Sequence, residues 1–145
     1  MATLWDALEE GQTGPAPLVF GPLTRTDFVR YQGASGDLNP IHHDEPFARA
    51  AGQPSVFAMG QLSAAILGAA VAEWLGRDNV AAYGVRFTGK VWPGDRLEIE
   101  CEPVGEGRYE LRMARASDGA VVVTGWARAR TASGTSESES AIRSS

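Results

Sequence analysis

The stretch Gln53-Pro-Ser-Val-Phe-Ala-Met-Gly-Gln-Leu-Ser-Ala-Ala-Ile-Leu-Gly-Ala-Ala-Val-Ala72 contains no charged residue. Its length approaches what a helix needs to cross a bilayer. However, Pro54, Gly60, Gln61 and Ser63 interrupt it, and the continuous small or apolar run is only Ala64 to Ala72. A buried helix of a soluble domain fits this pattern better than a membrane span. The helix is expected from Gly60 to Trp74, with Gly76 as its stop. Ser63, Ala64, Ala65, Gly68, Ala69, Ala70 and Ala72 keep its faces small, while Leu62, Ile66 and Leu67 supply volume. A helix that is small and apolar nearly all round is expected to be buried on most sides.

Beyond this helix the pattern is that of strands. Between Val80 and Trp92, Tyr83, Val85 and Phe87 share one parity, with Arg86 and Thr88 on the other. Leu97, Ile99 and Cys101 alternate with Glu98, Glu100 and Glu102. After Gly105-Glu106-Gly107, Tyr109, Leu111 and Met113 alternate with Glu110, Arg112 and Ala114. Ser117-Asp118-Gly119 turns the chain into a last strand, Ala120 to Arg130. Period-two alternation with one wet face, broken by short turns, predicts an antiparallel meander.

Ahead of the helix, Leu18 to Phe20 reads as a short strand. A helix is expected over about 26–33, capped by Thr24 or Thr26, with Phe28 and Tyr31 on its buried face. Gly33 to Pro40 reads as loop, and Pro46 to Ala51 as a short helix stopped by Gly52. The fold class is therefore α+β, with the sheet wrapped around the central helix. One domain is expected over 1–131, its first 17 residues loosely held and a Ser-rich disordered tail at 132–145.

Composition narrows the function classes. Thirteen Lys and Arg against 18 Asp and Glu give a net charge of -5. That balance argues against nucleic acid or an anionic membrane as the main partner. Cys101 is the single cysteine and sits on the apolar parity of a strand, so it is expected to be a core thiol rather than a disulfide or nucleophile. The acidic start does not resemble a signal peptide, and a cytoplasmic location is expected.

The chain has two histidines, His42 and His43, both following Ser35-Gly36-Asp37-Leu38-Asn39-Pro40-Ile41. A Gly/Asn/Pro loop between Asp37 and His42 can fold back and aim both side chains at one water. An equally open alternative makes Asp37 an Asx-turn residue and His42 a solvated loop residue. A metal site built from His42, His43 and Asp44 is disfavoured, since adjacent residues rarely converge on one ion. Arg49, Arg86 and Lys90 read as solvated cations before phosphate contacts, and Trp74 and Trp92 as packing residues at element ends.

The segment Tyr31-Gln-Gly-Ala-Ser-Gly-Asp-Leu-Asn-Pro-Ile-His-His-Asp-Glu-Pro-Phe-Ala resembles the signature of the MaoC-like hydratase/dehydratase family of hot-dog-fold (R)-specific enoyl-thioester hydratases. Tyr83-Gly-Val-Arg-Phe-Thr and Trp92-Pro-Gly-Asp match as further blocks, and the resemblance covers about residues 20–128. It implies a hydro-lyase without cofactor or metal, acting on acyl thioesters of coenzyme A or acyl carrier protein. Asp37 and His42 would activate water, and Asn39 would brace their loop. The family places a His-Gly pair seventeen residues after the catalytic histidine, which falls here on Met59-Gly60. The Gly60 N–H, at a helix start, would hold the thioester oxygen. The family's histidine is Met59 here, and a serine that some members carry on the central helix is Gly68, which would leave room beside the pair. Phe57 and Met59 are candidates for an acyl tunnel, with core packing the alternative. Open sheet edges imply a homodimer, or a heterodimer with a second hot-dog subunit. A non-catalytic acyl-thioester-binding subunit and a hot-dog thioesterase are the rival readings.

Overall fold

In a computed structural model, residues 16–130 are described. The expected tail at 132–145 and most of the expected lead-in lie outside them. Strand β1 (Leu18–Phe20) is followed by helix α1 (Arg25–Ser35), a 3-10 turn (Pro40–His42), helix α2 (Glu45–Ala50) and the central helix α3 (Gly60–Leu75). Strands β2 (Val80–Phe87), β3 (Leu97–Gly105), β4 (Arg108–Arg115) and β5 (Val121–Ala129) complete the domain.

The five strands form one antiparallel sheet in the order β1-β3-β4-β5-β2. Its alternation sorts side chains as the sequence predicts except at Ala114, which is buried beside Met113 where the register with β5 shifts. Leu97, Ile99, Cys101, Leu111, Met113, Val123 and Ala127 are buried and join Leu67, Ala70 and Val71 of α3 in one core. Glu100, Glu102 and Glu110 lie exposed on the outer face, where Arg112 pairs with Glu100 at 3.2 Å. Burial in that core pushes the Cys101 thiol up to about 11, as expected of a packing residue. This is the α+β hot-dog arrangement, and no helix among the described residues is long and apolar enough to cross a membrane.

Three expectations change. Helix α1 runs through Gly33 to Ser35, because Gly33 faces open space and Gly36 supplies the left-handed cap (φ 78) that ends the helix. The strand expected to Trp92 ends at Phe87, and Pro93-Gly94 lies in the turn that leads to β3. Helix α3 buries Ser63, Ile66, Leu67, Ala70 and Val71, but Gln61 and Ala65 are exposed and Gly68, Ala69 and Ala72 half-buried. Within one chain the sheet therefore covers one side of the helix rather than most of it.

Candidate active site

Helix α1 is the foundation of the loop that follows it. Thr24 caps it through a reciprocal box: the Asp27 N–H donates to Thr24 Oγ1 at 3.2 Å, and the Thr24 N–H donates to Asp27 Oδ2 at 2.8 Å. Phe28 is fully buried and anchors the helix to the core. The Gly36 N–H closes the last turn onto the Gln32 carbonyl at 2.9 Å.

The chain then folds back as the Gly/Asn/Pro spacing predicts. Asn39 N–H donates to Asp37 Oδ1 at 3.2 Å, so the Asx turn is present. It occupies one carboxylate oxygen and leaves Oδ2 for another partner. Asn39 Oδ1 accepts from the Ile41 N–H at 3.1 Å, which starts the 3-10 turn that carries His42. His42 is 8% exposed. Its Nδ1 lies 2.7 Å from the Phe57 carbonyl. A carbonyl only accepts, so Nδ1 carries the proton and Nε2 of the neutral ring keeps its lone pair. Nε2 stands 3.8 Å from Asp37 Oδ2, whose side chain is 48% exposed. That separation is too long for a direct hydrogen bond, and both atoms can reach one shared oxygen.

Around this pair the walls are aromatic. The Phe57 ring meets the His42 imidazole edge-on with centroids 5.2 Å apart, and Trp92 meets Phe57 at 5.9 Å. Lys90 Nζ sits 5.4 Å above the Phe57 ring, which places one of the surface cations beside the pair. His43 turns away and bonds through Nδ1 to Gln32 Oε1 at 3.0 Å. Among the described residues, no group of three or more His, Cys, Asp or Glu is placed to hold a metal ion.

Three residues past Phe57, α3 begins at Gly60. Met59 is its N-cap and makes no side-chain cap bond, so the first-turn N–H groups have no side-chain acceptor there. Met59 itself is 2% exposed and packs in the core. A Cβ at Gly60 would lie 3.2 Å from the Phe87 ring, and one at Gly68 would lie 3.3 Å from the Tyr83 ring. The room expected beside Gly68 is thus filled by Tyr83, whose hydroxyl donates to the Ala64 carbonyl at 2.8 Å. Burial pushes that phenol up to about 12. An apolar cleft of about 310 Å³ lies instead on the other flank of α3, between Leu62, Ile66, Tyr31 and Leu23.

Sequence reasoning brought Asp37, Asn39 and His42 into one loop. It missed the Phe57 carbonyl, since a backbone group leaves no mark in a sequence, and it missed Gln32. Gln32 follows Phe28 by one helical turn, and a polar residue on a buried helix face was the available signal.

Comparison with known proteins places these features in context. The family profile described as "MaoC like domain" matches residues 13–125. The fatty acid synthase beta subunit TOXC of Cochliobolus carbonum is 30% identical over 119 residues, 78% of this chain and 6% of that protein. The enoyl-CoA hydratase ChsH3 of Mycobacterium tuberculosis is 34% identical over 93 residues, 62% of this chain and 32% of that protein. The matched region spans a third or less of these two relatives. Among solved structures, R-hydratase PhaJ1 from Pseudomonas aeruginosa superposes with a TM-score of 0.65 at 30% identity, covering 85% of this chain and 83% of that one.

Proposed function

Because the chain belongs to the MaoC-like dehydratase family, we propose that it adds water to trans-2-enoyl thioesters to give (R)-3-hydroxyacyl thioesters, or runs the reverse dehydration. The observation that carries this reading is the bond from His42 Nδ1 to the Phe57 carbonyl, which turns Nε2 toward Asp37 Oδ2, 3.8 Å away. A water bonded to both atoms would be oriented and deprotonated as its oxygen attacks C3. The displaced π electrons move toward the thioester, and a proton returned from the pair to C2 completes the addition. Water supplies both the hydroxyl and the hydrogen, so no redox partner enters the balance. Positioned acid/base groups of this kind contribute roughly 10²–10⁴-fold.

Charge that develops on the thioester oxygen would be met by the Gly60 N–H, uncapped at the start of α3. Asn39 holds the loop through its bond to Ile41, and Phe57 shields His42 from solvent. Met59 is buried in the core beside Gly60. The thioester carrier would be coenzyme A or acyl carrier protein, with Lys90 at the rim. Strand β2 lies at one end of the sheet order and offers its outer edge to a second copy or to a related hot-dog subunit.

Incubation with trans-2-butenoyl-CoA tests the reading. Loss of the enoyl absorbance with formation of (R)-3-hydroxybutyryl-CoA is expected. Release of free thiol without a hydroxyacyl product would assign a thioesterase instead, and binding without turnover would assign a non-catalytic subunit.

A further inference from the structure

Gln32 is 3% exposed and every polar group of its side chain is engaged. Its Nε2 donates to the Asp37 carbonyl at 2.9 Å and to the Asn39 carbonyl at 3.1 Å. Its Oε1 accepts from His43 Nδ1 at 3.0 Å. Carbonyls accept only, so the orientation of the carboxamide is fixed by its own partners. Buried polar side chains persist where their bonds are met, and a satisfied network makes one local geometry unique.

The two clamped carbonyls flank Leu38, at the start of the loop that carries the pair. One belongs to Asp37 itself. The other, of Asn39, also accepts the His42 N–H at 3.2 Å and so opens the turn that carries the imidazole. Helix α1 thus reaches through one side chain to the backbone that carries the Asp37 carboxylate. The Asp37 carboxylate, half exposed, has little else to hold it: within the loop it accepts only the Asn39 N–H. His42 is fixed separately by Phe57.

We infer that Gln32 is a positioning residue that sets the Asp37 carboxylate against His42 by clamping the backbone of residues 37 and 39. The inference rests on the hydratase reading above. It acts through the loop backbone rather than through His43, which is exposed and turned from the pair.

Three variants and one double variant test it in the full chain with trans-2-butenoyl-CoA. Gln32→Leu removes the donors at similar volume, and Gln32→Glu keeps the acceptor for His43 but loses the donors. Each is expected to lower kcat about ten- to a hundredfold, since misplacement near 1 Å can cost about 10², with KM within about threefold. His43→Ala is expected to stay within about twofold of the parent. In the Asp37→Asn background, Gln32→Leu should cause no further loss, because the group it positions is already disabled. Additive losses, unchanged kcat, or a His43→Ala defect equal to that of Gln32→Leu would overturn the assignment. Gln32→Met replaces Gln32→Leu if the latter fails to fold. An inactive parent would sink the hydratase reading alone, and amide exchange then decides on Gln32. Acceleration confined to residues 36–43 in Gln32→Leu supports the clamp, and unchanged exchange there refutes it.

Discussion

The loop from Gly36 to His42 and the seam between α3 and β2 meet near the start of α3, yet they are held by opposite means. The seam is closed by contact: the Phe87 ring lies on Gly60 and the Tyr83 ring on Gly68, with one hydroxyl bond to the Ala64 carbonyl. The loop buries little apolar surface and depends on single hydrogen bonds from Gln32, Asp37 and Asn39. Packing spreads its energy over many weak contacts, whereas a polar loop concentrates geometry in a few directional ones. Changes in the seam and core should therefore appear chiefly as lost stability. Changes in the loop should appear as lost activity in a protein that still folds.

The largest stability effect is expected at Leu67→Ala. Leu67 is fully buried where α3 meets the sheet, and truncation should cost about 2–5 kcal/mol. Chemical denaturation checks it, and residual activity should follow the folded fraction. Asn39→Ala removes the acceptor that starts the turn under His42. It should cost about 1 kcal/mol in stability but a disproportionate share of kcat, the reverse of Leu67→Ala. If both variants lose activity in proportion to unfolding, the contrast between the regions fails. Tyr83→Phe deletes the bond to the Ala64 carbonyl while keeping the ring on Gly68. A loss of about 0.5–1.5 kcal/mol is expected, with kcat on a short enoyl thioester unchanged.

The smallest effect is expected far from both regions, at the turn between β4 and β5. Arg115 donates to the Asp118 carboxylate and holds it at about 2, below its ordinary 3.8. A lowered carboxyl stabilises the fold above its ordinary value and loses that contribution as pH falls toward about 2. Asp118→Asn should lower Tm slightly at pH 7, by a margin that shrinks as pH falls through about 2. A difference that persists in acid would assign the effect to the turn's shape rather than to charge.

Much of the fold was legible because each element carries its own period. The Leu97–Ile99–Cys101 alternation fixes which face of β3 is buried, and the uncharged run from Gln53 to Ala72 marks the helix that the sheet packs against. What alternation cannot carry is the meeting of distant segments. Gly68 reads as vacant space in the sequence, and only the strand ten and more residues later supplies the Tyr83 ring that fills it. The Asx turn expected of Asp37 is compatible with the pair, since one carboxylate oxygen makes the turn while the other lies 3.8 Å from His42 Nε2. The loop motif named the residues, and the backbone carbonyl of Phe57 determined which imidazole nitrogen is free.

The central claim is that Asp37 and His42 act together on a water at an enoyl thioester. Its most direct test is the initial rate of trans-2-butenoyl-CoA hydration by the parent, Asp37→Asn and His42→Ala, each verified as folded by circular dichroism. The account predicts hydration by the parent and a loss of roughly 10²–10⁴-fold in either variant. Parental rates in Asp37→Asn or His42→Ala would contradict it.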